Sequence, residues 1–256
     1  MSGPVLFECE SGMALLTLSR PAERNALSFE LLESFNEALE QAALDPSLHV
    51  AILRAEGPAF CAGMNLKTVA LDDAVQAERF ALLLAETYRR LLLLPIPLIC
   101  GVDGPVMGGG VGLAMAADVV WAGPEARFTF PETRIGLVPA LVSVVARRRL
   151  RPATLQGMTL SATEVDPSDA LRLGLVDRLS AASAAEDAER EARRILRENS
   201  PSAMRETKAF LQTQFGETLE WELEAAVAEF RRAAGTEACR RGLQAFREKR
   251  ALTWRD

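Results

Sequence analysis

The chain has 256 residues, 49% hydrophobic and 25% charged, enough to bury a sizeable core as one large domain or as a main domain with an appendage. Its 29 basic and 35 acidic side chains leave a formal net charge of -6, so no global positive field favours nucleic acid or an anionic membrane surface. The N-terminus MSGPVLFECESG lacks a positive segment followed by a long apolar core, and no stretch reaches membrane-spanning length, so a cytoplasmic protein is expected.

Pro4–Cys9 and Met13–Ser19 are short β-rich runs around Glu10-Ser11-Gly12 and read as a hairpin. Arg20–Leu27 is a polar loop leading to Ser28, an N-cap for a helix whose Leu31, Phe35, Leu39 and Ala42 recur at helical spacing until Asp45-Pro46 stops it. A strand follows over His49–Arg54, and strand, helix, strand in this order suggests a right-handed crossover. His49 is the single histidine, which excludes metal sites built on several; at a strand start it reads as a structural or surface residue. Glu56–Lys67, EGPAFCAGMNLK, is a second loop of small residues after a strand, and Ala62-Gly63 ahead of Met64 would expose a backbone N–H there. A helix is predicted from about Asp72 to Leu94, ending at Pro95, and then a strand over Pro97–Val102.

That strand delivers VMGGGVGLAMA, Val106–Ala116, with three adjacent glycines where a strand meets a helix. Without Cβ atoms, Gly108, Gly109 and Gly110 let backbone N–H groups approach a ligand at a helix start, an arrangement suited to an anion or to a carbonyl oxygen becoming one. Taken alone, the stretch fits equally well a turn that merely packs a helix tightly on a strand. Phosphate readings are weaker: no Lys-Ser or Lys-Thr follows at P-loop spacing, and the glycines do not fit G-x-G-x-x-G.

After the helix Gly109–Ala117 and a strand Val119–Ala122 comes Phe128–Gly136, where Glu132 follows a proline in an apolar neighbourhood. A carboxylate withdrawn from water has a raised proton affinity and can exchange protons near neutral pH; a helix-start Glu favoured by the dipole has the same spacing. Arg147–Arg149 reads as a solvated helix face. Ser161–Gly174 reads as turn plus helix and Leu175–Leu179 as the last strand, before helices over Glu186–Glu198, Ser202–Gln214, Leu219–Ala234 and Thr236–Arg250. The change from alternating elements to helices divides residues 1–195 from 196–256, the latter suited to a lid or an assembly surface. Cys9, Cys61, Cys100 and Cys239 have no C-x-x-C spacing and are expected as buried small apolar residues.

The ordered motifs R-P-x-x-R-N-A-L (Arg20–Leu27), A-F-C-A-G-x-N-L-K (Ala59–Lys67), G-x-x-x-G-G-G-x-x-L (Gly104–Leu113), P-E-x-x-I-G-L (Pro131–Leu137) and G-L-V-D (Gly174–Asp177) resemble the crotonase, or enoyl-CoA hydratase/isomerase, superfamily. The resemblance implies an α/β fold, a spiral of ββα units followed by a C-terminal helical region that builds homotrimers or homohexamers. It implies an acyl-CoA thioester substrate, with coenzyme A as part of that substrate and no metal or separate cofactor. The thioester oxygen would be held by the N–H groups of Met64 and Gly109. Arg24, Ala62, Leu66 and Lys67 fall where members hold the parts of CoA, and Lys249 or Arg250 where a neighbouring subunit's phosphate would be reached.

One departure bears on the reaction. Two-carboxylate hydratases carry Glu where this chain has Gly112, so Glu132 alone must manage both proton transfers of hydration, or another reaction is catalysed. Monofunctional 3,2-enoyl-CoA isomerases resemble a site of this kind. The run G-G-G-V-G-L, then P-E-x-R-I-G-L-V-P-A-L-V-S, is similar to the methylglutaconyl-CoA and isohexenylglutaconyl-CoA hydratase branch, and this longer match favours a hydratase. Dienoyl-CoA isomerases and aroyl-CoA dehalogenases need an Asp at Ala140, and hydroxyacyl-CoA hydrolases need the acid absent at Gly112. A non-catalytic acyl-CoA-binding member is the third reading, opposed by the retained Glu132 and both oxyanion motifs.

Overall fold

A computed structural model describes residues 3–213, 216–250, 252 and 254. Strands β1 (Val5–Glu10) and β2 (Met13–Leu18) form the expected hairpin, with Glu10 opposite Met13 and Val5 opposite Leu18. Its two-residue turn places Ser11 at φ 51° and Gly12 at φ 82°, the left-handed pair that matches strand twist. Helix α1 (Phe29–Leu44) starts where Ser28 Oγ accepts from the Leu31 N–H at 3.2 Å. Strand β3 (Val50–Ala55) pairs in parallel with β2. Next come α2 (Ala74–Leu92), β4 (Leu98–Val102), β5 (Pro105–Met107), α3 (Gly109–Met115), β6 (Val119–Ala122) and β7 (Arg127–Thr129).

A tight helical turn over Glu132–Ile135 precedes α4 (Ala140–Ala146), α5 (Pro152–Ser161), α6 (Pro167–Leu173) and the two-residue β8 (Arg178–Leu179). Helices α7 (Ala184–Glu198), α8 (Pro201–Gln212), α9 (Gly216–Ala234) and α10 (Glu237–Arg247) complete the described chain. The main sheet has the order β1-β2-β3-β4-β6-β8, parallel apart from β1–β2, and β5 pairs with β7 in a small second sheet. Every residue of β2 is buried, because helices cover both sheet faces and the strand needs no polar side. On one face α7 lays Ala188 and Ala192 on Met13, Leu15, Val50 and Ile52; on the other, one core cluster runs from Val5 to Leu243 and so takes in α9 and α10.

Four expectations are corrected. The last strand is Arg178–Leu179 rather than Leu175–Leu179: Gly174 ends α6 at φ 89°, and the Leu175 N–H closes that helix end on Ala170 O instead of joining the sheet. The small sheet of β5 and β7 was not anticipated, since three-residue strands carry no readable alternation. Cys9 is exposed, whereas Cys61, Cys100 and Cys239 are buried.

The fourth correction concerns the arginines. The Arg148 and Arg149 side chains are only 11% and 14% exposed. Arg149 pairs with Asp177 and donates to Ala117 O, while Arg148 lies 2.7 Å and Arg147 3.3 Å from the carboxylate of Glu222 on α9. A buried guanidinium is tolerated because its charge is matched, and here the match fastens α9 to the end of α4. Among the described residues no helix is long and apolar enough to cross a membrane. Glu222→Ala, which removes the carboxylate facing Arg148, is expected to lower unfolding stability by about 3 kcal/mol. Urea unfolding reads this, and an unshifted midpoint would show that the ion pair does not hold α9.

Candidate active site

The site is assembled from three loops tied to one another by backbone hydrogen bonds. The Leu27 N–H donates to Gly63 O at 2.7 Å, Asn65 N–H to Leu27 O at 2.9 Å and Ala62 N–H to Arg24 O at 3.0 Å. Met107 N–H then donates to Cys61 O at 2.9 Å, which fastens the second loop to β5. Asn25 locks the first two loops from inside: fully buried, it donates to Glu56 O and Ala59 O, both at 2.9 Å, and accepts from the Arg20 N–H at 2.8 Å. Sequence reading left Asn25 without a role, although its place in R-N-A-L marked it.

Beyond β5 the chain passes Gly108 at φ 50°, whose N–H donates to Thr129 O at 2.9 Å, and enters α3 at Gly109. The first N–H groups of a helix have no intrahelical acceptor. Among the described residues neither the Gly109 N–H nor the Met64 N–H donates to a backbone carbonyl. Met64, Gly109 and Glu132 all border one cavity of about 100 Å³, and Ala62 and Leu66 lie on its wall. Arg24, Lys67, Lys249 and Arg250 do not line it; all four are exposed, and Arg250 Nε is held 2.6 Å from the Glu248 carboxylate. His49 also lies away from the cavity.

Glu132 opens the tight turn after Pro131, and its Oε2 is buried with no hydrogen-bond partner among the described residues. Burial pushes its carboxyl up to about 7, and the hydrogen bond from its own backbone N–H offsets only part of the lost hydration. Gly108 is required beside it: a Cβ there would stand 2.9 Å from Glu132 Oε1, at a φ that L side chains rarely adopt. The rest of the wall is apolar, with Phe80 and Leu84 from α2, Leu141 from α4 and Phe230 from α9. Sequence periodicity predicts the helices that carry Phe80, Leu84 and Phe230 but does not show that these side chains face a cavity. Among the described residues no three His, Cys, Asp or Glu side chains are grouped to hold a metal ion.

Tyr88, on α2, also borders the cavity and donates its hydroxyl to Gly109 O at 2.8 Å. Burial first and the Glu132 charge second push the phenol well above its ordinary value, so it is a neutral donor. A Cβ added at Gly112 would overlap Tyr88 Oη and stand 2.5 Å from Cζ. The position where a second acid was missed is therefore filled by an aromatic ring.

The enoyl-CoA hydratase/isomerase family model matches residues 8–256. The chain belongs to the enoyl-CoA hydratase/isomerase family. A Thermus thermophilus relative is 34% identical over 252 residues, covering 96% of this chain and 98% of its own. The short-chain-enoyl-CoA hydratase of Clostridium acetobutylicum is 28% identical over 254 residues, 97% of this chain and 96% of its own. Among solved structures, an enoyl-CoA hydratase from Mycobacterium avium superposes with a TM-score of 0.89 at 28% identity, covering 99% of this chain and 100% of its own. The mixed α/β architecture is thus the crotonase fold of this enzyme family.

The raised proton affinity of Glu132 also sets a pH dependence of stability. Below pH about 4.5 the carboxyl is protonated in both folded and unfolded chains; between 4.5 and about 7 only the folded chain keeps the proton, so stability falls as pH rises. Above that window the penalty is constant, at about 3 kcal/mol for a shift of this size. Glu132→Gln has no such titration, so its stability relative to the parent is expected to rise by about 3 kcal/mol between about pH 4 and pH 8 in urea unfolding. A difference that stays constant across that range would place the carboxyl in water.

Proposed function

We propose that the enzyme adds water to a short 2-enoyl-CoA, or removes it, with Glu132 as the only proton-transferring side chain and the Met64 and Gly109 N–H groups as the oxyanion hole. The observation that carries this reading is the buried carboxyl of Glu132, its Oε2 without a hydrogen-bond partner among the described residues, on the same cavity as those two backbone donors. When water attacks C3, negative charge moves onto the thioester oxygen. Two preformed donors stabilise that charge by about 3 kcal/mol each, judged by the loss of single oxyanion-hole donors elsewhere. The Glu132 carboxylate takes one proton from the water as its oxygen bonds to C3. The resulting carboxylic acid returns a proton to C2, and the thioester enolate collapses. An acid with a pKa of about 7 suits both halves, because it holds and releases a proton with similar ease near neutral pH.

The wall supports an uncharged acyl group rather than the branched glutaconyl type. Among the lining residues Glu132 is the one charged side chain, so a second carboxylate on the substrate would face it with no Lys, Arg or His in the wall. Ala62 and Leu66 would flank the pantetheine at the mouth, and the exposed Arg24 and Lys67 on the adjoining loops would meet the CoA phosphates. Exposed Phe210, Leu211, Trp221 and Phe246 on the last helices support assembly into a trimer or hexamer, where Lys249 or Arg250 would reach a neighbour's CoA. A monomeric sedimentation coefficient at working concentration would withdraw that part.

A second reading, 3,2-enoyl-CoA isomerisation, is favoured by the same lone carboxyl, since one group can remove a proton from C2 and return it to C4. Incubation with crotonyl-CoA, 3-hexenoyl-CoA and 3-methylglutaconyl-CoA separates the readings by whether water is added or the double bond moves. Glu132→Gln is expected to lower kcat by ~10²-fold or more on the preferred substrate while acyl-CoA affinity persists. Full activity in that variant would remove the proton-transfer role, and no turnover in the parent would leave a binding protein.

A further inference from the structure

Three successive glycines carry no side chain that could fix the peptide planes at the start of α3, and α3 itself has only seven residues. Two hydrogen bonds from outside the helix bracket Gly109: the Gly108 N–H donates to Thr129 O at 2.9 Å, and Tyr88 Oη donates to Gly109 O at 2.8 Å. Tyr88 can act as a fixed post because its side chain is fully buried, in the C-terminal part of α2 and within the main core. The same ring occupies the space beside Gly112, where an added Cβ would overlap its hydroxyl. A Cβ at Gly109 would also come within 3.4 Å of that oxygen.

Resting on the oxyanion-hole reading above, we propose that Tyr88 is the positioning residue of this site. Its hydroxyl clamps Gly109 so that the Gly109 N–H stays aimed at the thioester oxygen, and its ring fills the volume that an acid at position 112 would need. The two functions go together. A chain with the clamp has no room for the second carboxylate, so it runs on Glu132 alone; a chain with an acid at 112 must give up the phenol. Small displacements matter here, because an oxyanion donor is effective only where charge develops, and misplacement by about 1 Å is costly.

Tyr88→Phe removes the hydroxyl and keeps the ring, so the packing of α2 is retained. It is expected to lower kcat on crotonyl-CoA about tenfold or more, with KM within about twofold. The readout that mere packing would not move is the infrared stretch of the thioester carbonyl in bound butyryl-CoA, which cannot be hydrated. The parent should lower that frequency relative to free butyryl-CoA, and Tyr88→Phe should lower it less. A variant with the parent's carbonyl shift overturns the clamp, whatever happens to kcat, and leaves the proposed function standing. A parent with no carbonyl shift overturns the oxyanion hole itself and the clamp with it. The steric half is read from thermal unfolding: Gly112→Glu and Tyr88→Gly should each destabilise, and the double variant should lose less than the two losses added. Additive losses, or a Gly112→Glu protein as stable as the parent, overturn the exclusion.

Discussion

The carboxyl of Glu132 is kept out of water with one oxygen unpartnered, and the surrounding structure exists in the form it does because that state is costly. A free carboxylate would draw in water or a cation. The fold supplies no cation among the described residues and makes the surroundings apolar: Gly108, just past β5, presses close, apolar side chains of α2 and α4 line the cavity, and Phe230 borders it from α9. Helix α10 adds a backstop. Cβ atoms at Gly136 and Gly242 would overlap the backbones of Ala238 and Ile135, so the helix lies in backbone contact with the turn that carries Glu132.

The stability that offsets this cost sits elsewhere. The parallel strands β2, β3 and β4 are buried on both faces, and their apolar runs supply the main hydrophobic term. Where charge is buried away from the cavity it is matched: Arg148 by Glu222, and Lys208 of α8 by Asp118 at 2.6 Å and by Ile96 O at 2.8 Å. Glu132 differs from these groups in having no ion partner among the described residues, which leaves burial free to push its carboxyl up to about 7.

The geometry also gives a physical meaning to the glycine at 112. In a sequence comparison it reads as a loss, one carboxylate fewer than two-carboxylate hydratases carry. In three dimensions the space is occupied by the Tyr88 ring, whose hydroxyl reaches the first residue of α3. The volume a second acid would need is therefore taken by that ring, and among the lining residues Glu132 is the one charged side chain.

The sequence by itself determined the elements whose signals are local. The Ser28 cap, the Ser11-Gly12 turn and the long α2 were legible because capping, left-handed turn geometry and 3.6-residue spacing depend on near neighbours. The three segments around Met64, Gly109 and Glu132 were also legible, since small residues after strands and an acid in an apolar run are visible in one dimension. Only the tertiary structure decided what those segments meet. That Asn25 stitches two loops, that Arg148 and Arg149 are buried in ion pairs and that Tyr88 takes the space at Gly112 depend on contacts between residues 24 to 74 positions apart. No periodicity encodes such pairings: each side chain satisfies its local rules in many folds, and packing alone selects the partner.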